Sequence, residues 1–406
     1  ARANKYKAVW KPTTFHKKLS DKARNLLSNL GLSRGVPTEG IISSSMLANK
    51  LIEAQHLPLS AEPKEEKVQK KKIENLSAYL TKTLEYEEKE RICGPSRNSY
   101  YKTDHDATAM CLKQDYYSGL GSNLHAAYQM QTVVAHGLVL SYYVSQDRVD
   151  IHTFIPSLEH FYEMYGRYPK SITADAGYGS QDNYEFCLKN GIEAFVKYAS
   201  WEGECSGRRP ALYELHTDGT ITCLGGQSGQ LTEIEERHHK IKGGRFYRVQ
   251  CPLDCPFMLY CRQFHKQPQG SERTFEINPK YQLLKQEARD RLLSVRGIEL
   301  RVNRSAQIEG VYGITKHNMG YTRARRIGMT QVRTEYMLTV TGLNIRKFFR
   351  YLDGKRCFDY WKAPEKIKPE TFKKPSAKRL VNRALKKRMK QPNEIARESY
   401  KYKKSG

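Results

Sequence analysis

Two short stretches place acidic side chains where a metal ion or ligand could use them. In Ile172-Thr173-Ala174-Asp175-Ala176-Gly177-Tyr178-Gly179 a brief apolar strand ends in an acid and passes at once into glycine and small residues ahead of a helix. Ligands of α/β sheets gather at the carboxyl ends of strands, so Asp175 stands where a metal ligand would. Taken alone, such an acid is more often a helix cap or turn former. The second stretch runs from Asn303 to Lys316. On a helix, Glu309 and Lys316 share a face with Tyr312 between them. A carboxylate and a lysine so placed usually form a surface ion pair. Yet Gly310 and Gly313 lie in the same helix, at a cost of about 1 kcal/mol each relative to alanine. Close approach of a backbone or a substrate is one reason to keep them.

Cysteine makes the third constellation. Cys251 and Cys255 stand four apart, Cys261 follows, and Cys223 lies upstream. Four thiolates suit a tetrahedral structural zinc ion; reduced, packed cysteines are the other reading. The interval to Cys261 is long for a zinc knuckle, and His238, His239 and His265 are nearby alternatives. Cys205 reads as a bystander, and Cys93, Cys111, Cys187 and Cys357 have no ligand spacing. His125 and His136 flank expected strands and read as structural. Trp10, Trp201 and Trp361 read as packing groups.

The elements that must position these groups are legible in part. Residues 5–10 alternate like a strand. Helical spacing covers Asp21 to Leu32 and Thr38 to Gln55, with Thr38 as N-cap, and the charged stretch Pro63 to Arg91 reads as one long exposed helix or a pair. Two β-rich runs, Tyr128 to Ala135 and Leu138 to Ser145, flank His136-Gly137 as a hairpin. A helix from His152 to Tyr165, a strand at Ser171 to Ala174, a helix from Gln181 to Asn190 capped by Gly191, and a strand from Ile192 to Tyr198 complete an expected mixed α/β sheet. Residues 201–275 read as a β-rich, Cys-containing insertion with a hairpin turn at Asp218-Gly219. Helices return from Pro279 to Arg296, with Gly297 as a stop, then from Arg301 to Asn318 and from Val332 to Tyr351. The expected segments are 1–13, the end of a first core strand region; 14–100, a charged helical insertion; 101–200, the core with Asp175; 201–275, the β-rich insertion; 276–352, core helices with Glu309; and 353–406, a basic, mostly disordered tail.

The 406 residues hold 69 Lys and Arg against 43 Asp and Glu, a formal charge of +26. Such a surplus implies a polyanionic partner, most simply nucleic acid; a solubility surplus is the bland alternative. From Pro364 to the end the chain carries 15 Lys and Arg against 4 Asp and Glu. Around Ala377 to Met389 it could become helical on nucleic acid. The longest apolar run, Gly137 to Val144, is only strand-sized, so no membrane span is expected. Nine cysteines in a long basic chain without a signal-like start point to a reducing cytoplasm.

The two acidic stretches resemble a family. Ala174-Asp175-Ala176-Gly177-Tyr178 is similar to the second acidic motif of bacterial insertion-sequence DDE transposases, and Arg304 through Lys316 is similar to their third, with Glu309 followed by Lys316. The resemblance continues through Gly320, Arg323, Arg325, Gly328, Val332, Glu335 and Asn344. It also takes in Thr103 through Ala107 and the Cys-Pro-rich insertion, and so spans about residues 1–352. It implies an RNase H-like core in which three carboxylates hold two Mg²⁺ or Mn²⁺ ions that clamp both oxygens of an in-line phosphoryl displacement. On this resemblance Asp175 and Glu309 are metal ligands, and Lys316 contacts DNA phosphate near the cleavage point. Arg304, Arg323 and Arg325 contact DNA. The partners it implies are element ends and target DNA, with a homodimer acting on two ends near the nucleoid.

In this family the first Asp precedes a stretch resembling Ala3 to Trp10, and this chain has no acid before Asp21. The expectation is therefore a chain truncated after that Asp, impaired if the truncation is real. Asp104 and Asp106 are possible substitutes, although ordering the turn into the Tyr128 strand suits them better. Two other readings remain: a related nuclease that hydrolyses without joining, and an inactive remnant that binds DNA.

Overall fold

The computed structural model describes residues 8–58, 62–111, 124–232, 241–262, 272–355, 362, 364 and 367–386. Residues 3–7, His238, His239, His265, Cys357 and Trp361, all singled out in the sequence, lie outside the described residues. The chain divides into two units. One comprises residues 1–131, 142–148 and 320–342; the other comprises residues 132–141, 149–319 and 343–406.

The first unit opens with β1 (Ala8–Trp10) and three helices, α1 (Thr13–Ser28), α2 (Ser44–Gln55) and α3 (Pro63–Cys93). Gly31, at φ 71°, lets the chain reverse after α1, where Leu32 N bonds back to Leu27 O at 2.8 Å. The N-cap of α2 is Ser43, whose Oγ accepts from Met46 N, and not Thr38. Gly40 intervenes at φ 89°, so helical geometry cannot run back through it. The charged stretch is one unbroken helix, α3. It turns Leu76 onto a core of Ala23, Leu27, Ile42, Leu47 and Ala54, the narrow apolar stripe that a mostly solvated helix needs. Two strand pairs follow. β2 (Ser99–Tyr101) runs antiparallel to β1, and β3 (Thr108–Met110) runs antiparallel to β4 (His125–Ala127). Asp104 orders the turn between β2 and β3: its Oδ1 accepts from Asp106 N and Ala107 N, and Tyr128 donates its hydroxyl to the same carboxylate at 2.7 Å. Burial first, and then this hydrogen bond, pushes the Tyr128 phenol far above its ordinary range.

β5 (Gln129–Ala135) and β6 (Leu138–Ser145) form the hairpin expected around His136-Gly137. Both turn residues have positive φ, 52° and 72°, the geometry that matches the twist of the flanking strands. The second unit then continues through a 3-10 turn (Asp150–His152) and α4 (Phe154–Tyr165). β7 (Ser171–Ala174), α5 (Gln181–Lys189) and β8 (Glu193–Val196) make a parallel βαβ unit in register from Ser171↔Glu193 to Ala174↔Val196. Phe154 and Leu158 of α4, Tyr184 and Cys187 of α5, and Ile192, Ala194 and Val196 pack as one core. Burial there pushes the Cys187 thiol up to about 12, consistent with a packing role.

After α6 (Trp201–Cys205) comes an antiparallel meander: β9 (Tyr213–Leu215), β10 (Ile221–Cys223), β11 (Ser228–Thr232), β12 (Arg245–Gln250), then α7 (Met258–Arg262) and β13 (Glu272–Ile277). Leu215, Ile221, Tyr247, Val249, Phe275 and Ile277 fill its buried face. The described strands thus pair as four two-stranded sheets and one five-stranded sheet, where one mixed sheet was expected. With only four residues each, β7 and β8 offer short ladders.

The closing helices are α8 (Pro279–Leu293), α9 (Val295–Gly313) and α10 (Met329–Leu352). The break between α8 and α9 falls at Ser294, whose Oγ accepts from Gly297 N at 3.0 Å. Gly297 therefore does not stop a helix but lies in the first turn of one. A Cβ there would sit 2.1 Å from Arg291 O, so only glycine lets the two helices approach this closely. In the first unit, Asp106 caps α10 by accepting from Met329 N at 2.8 Å.

The described part of the tail makes specific contacts. Glu370 N bonds to Leu293 O, Lys373 N bonds to Cys205 O, and Phe372 packs edge-on against buried Trp201. Residues 377–386 are helical, with Leu380 and Ala384 buried. Charge counting misses this anchor because its few apolar residues are diluted among lysines.

Candidate active site and nucleic-acid interface

Asp175 follows the last residue of β7 and is exposed. Its Oδ1 accepts from Ala176 N at 2.9 Å, so the carboxylate does cap the turn Ala176–Tyr178. The glycines after it are kept by close packing. A Cβ on Gly177 would lie 2.8 Å from Asp150 Oδ2, and one on Gly179 would lie 2.3 Å from Lys197 O. Asp150 is an acid beside this motif that sequence reading did not single out. Nothing in its local sequence signals the approach, because the 3-10 turn carrying it meets the motif only after folding.

Glu309 lies on α9, which packs against β7 and β8 in the same unit. Glu309 is exposed and accepts from Ser305 Oγ at 2.7 Å. One turn later Tyr312 shares a 3.2 Å hydrogen bond with Thr132, and Lys316 Nζ sits 5.5 Å from the Tyr312 ring centroid. The expected face relating these residues is therefore formed at its Tyr312–Lys316 end. The helix itself changes pitch. Ile314–Asn318 is a π turn closed by Met319 N to Ile314 O at 2.9 Å, where an uninterrupted α-helix was expected. Such turns are costly and occur often at functional sites. Arg304 is half-buried on the same helix.

Beyond the adjacent residues and the backbone of the helix itself, no described atom lies within 4 Å of where a Cβ would stand on Gly310 or Gly313. Packing within the described protein thus does not account for these glycines. A cleft beside Gly310 is lined by Gln307 and by Arg346, Lys347 and Arg350 of α10, cations that the sequence reading passed over. Buried Gln307 accepts from Gly137 N at 3.0 Å, and Lys347 donates to Gly137 O, so the hairpin turn is clamped to both helices.

Arg323 and Arg325 belong to the first unit and are exposed. Glu335 accepts from Arg325 N and Arg326 N, fixing the backbone that presents these side chains. Among the described residues no three His, Cys, Asp or Glu side chains are gathered to hold a metal ion. Asp175 and Glu309 have the hard oxygen chemistry that Mg²⁺ or Mn²⁺ prefers; the three-carboxylate set of a two-ion site is not assembled.

Residues 222–349 match the family model described as the transposase DDE domain. The match includes Glu309, Lys316, Arg323, Arg325 and Asn344, and it makes this part of the chain similar to the DDE domain of transposases. Asp175 lies upstream of it. No curated protein and no solved structure gives a significant match to the chain. No described helix is long and apolar enough to cross a membrane.

Proposed function

We propose that the protein is a DNA transposase that cleaves and joins insertion-sequence ends by metal-dependent phosphoryl transfer on an RNase H-like core. The observation that carries this reading is the transposase DDE domain match over residues 222–349, which contains an exposed Glu309 on a helix packed against the strand that leads to Asp175. In this reading Asp175 and Glu309 hold Mg²⁺ or Mn²⁺, which would supply an activated water or 3′-hydroxyl and stabilise the leaving oxygen. Ser305 fixes the Glu309 carboxylate by its hydrogen bond. Lys316 contacts phosphate near the scissile bond, held over the Tyr312 ring that Thr132 in turn orients. Arg304, Arg323 and Arg325 contact the DNA backbone. Two copies act together on two ends.

The open space at Gly310 and Gly313 supports this use of the helix, because a phosphate backbone can come close only where side chains are absent. The net charge of +26 supports a DNA partner. The decisive experiment combines nicking and strand-transfer assays on element-end DNA with Mg²⁺ or Mn²⁺. Joining supports the transposase, cleavage without joining supports a nuclease, and DNA binding without cleavage, unchanged by Asp175→Ala, supports an inactive remnant.

A further inference from the structure

Beside Gly310, α9 and the C-terminal half of α10 enclose a cleft of about 120 Å³ whose lining includes Arg346, Lys347 and Arg350. Every lining residue belongs to the second unit, and no acid lines the cleft among the described residues. Lys347 is committed to the fold, because its ammonium donates to Gly137 O. Arg346 and Arg350 are exposed and meet no carboxylate among the described residues. Four positions apart on one helix, they stand side by side and repel each other. A cation in the last turn of a helix offsets the helix dipole, which accounts for Arg350. It does not account for Arg346, which lies more than one turn before the end of α10 at Leu352.

The walls of the cleft are fixed. Buried Gln307 of α9 accepts from Gly137 N at 3.0 Å, and Asn344 of α10 bonds both backbone groups of Val139. Both helices are thereby pinned to one hairpin, so the gap between them is set before any ligand arrives. On the α9 side the wall is bare at Gly310, where a Cβ would meet nothing within 4 Å beyond the adjacent residues and the helix's own backbone. Glu309 precedes Gly310 directly, and consecutive Cα atoms are about 3.8 Å apart.

An anion suits this place by charge, and a phosphodiester suits it by shape. Two guanidiniums one helical turn apart offer forked donors to one phosphate, and the glycine leaves room for the sugars on either side. We propose that the cleft seats one backbone phosphate of a bound DNA strand, with Arg346 and Arg350 as its donors and Gly310 as the point of closest approach. A strand held here passes the Glu309 side of α9. The contact positions the strand and reads no base. This inference rests on the DNA-binding half of the proposed function and requires no cleavage.

The test measures binding of the full chain to a random-sequence duplex over a range of salt concentrations, by fluorescence anisotropy. Arg346→Gln combined with Arg350→Gln is expected to make the slope of log K against log salt shallower by about 0.9, the loss of one phosphate contact, with the melting temperature unchanged. Lys170→Gln combined with Lys189→Gln removes two exposed cations elsewhere in the same unit and is expected to leave the slope as it is. A slope unaltered by the arginine substitutions, or lowered equally by both pairs, would overturn the seat. Each arginine replaced alone should give part of the loss, so the single variants decide if the double variant does not fold. A free phosphate as occupant predicts that inorganic phosphate raises the melting temperature of the unaltered chain and not of the arginine variant, with the DNA slope the same in both. That result would overturn the strand as occupant. Absence of cleavage and joining, with the arginine-dependent slope intact, would refute the transposase reading and leave the seat standing.

Discussion

Asn344 pairs with both backbone groups of Val139, accepting from Val139 N at 2.9 Å and donating to Val139 O at 2.7 Å. A side-chain amide thus takes the place of a neighbouring strand at the β6 side of the hairpin turn. Gln307 and Lys347 complete the clamp at Gly137. Asn344→Leu leaves two polar groups without partners and is expected to cost about 2 kcal/mol of stability, read by denaturant titration. Asn344→Asp keeps the acceptor but must bind a proton to donate. Its folded-state pKa is therefore raised, and its stability should be best in acid and fall as pH rises through that value. A melting curve insensitive to pH would count against the pairing.

Glu309→Gln keeps the shape and the Ser305 contact but removes the charge. Metal-dependent cleavage should fall by on the order of 10³-fold or more, with DNA binding and melting temperature nearly unchanged. Retained cleavage would remove Glu309 from the catalytic set.

Gly310→Ala separates folding from function. Alanine fits the open space and improves helix propensity, so stability should rise by about 1 kcal/mol. If DNA approaches this surface, DNA affinity or strand transfer falls at the same time. A stabilised variant with unaltered activity would place the DNA elsewhere.

Asp104→Asn tests whether this acid orders a turn or replaces a metal ligand. Loss of the charged acceptor for Asp106 N, Ala107 N and Tyr128 should cost about 1–3 kcal/mol, while cleavage per folded molecule persists below the melting transition. Abolished cleavage with an unchanged melting temperature would instead assign Asp104 to the chemistry.

Binding of duplex DNA should weaken steeply with salt. Each phosphate neutralised contributes about −0.9 to the slope of log K against log salt. Fluorescence anisotropy at several salt concentrations measures it. A flat response would show that the charge surplus serves solubility.

The elements around Asp175 were legible because their signals are local. A strand of apolar residues and the C-terminal Gly191 delimit the βαβ unit within a single stretch of chain. The same holds for His136-Gly137, where two adjacent residues of positive φ define the hairpin. Gly297 was misread because the reason for its glycine lies across a helix junction, at Arg291 O. The docked tail was missed because its hold depends on Trp201 and Leu293, far away in sequence.

Residue types and spacing alone determined the two acidic motifs, the cysteine set and the charge surplus, because each depends on chemistry carried within a few residues. Tertiary structure decided which of these groups meet. It set Asp150 against Gly177, turned the third motif through a π turn at Lys316, and emptied the space around Gly310. It also buried Arg273, whose Nη1 donates to Cys261 O at 3.1 Å. Those outcomes rest on packing between segments distant in the chain, where steric approach and desolvation act and local sequence carries no signal.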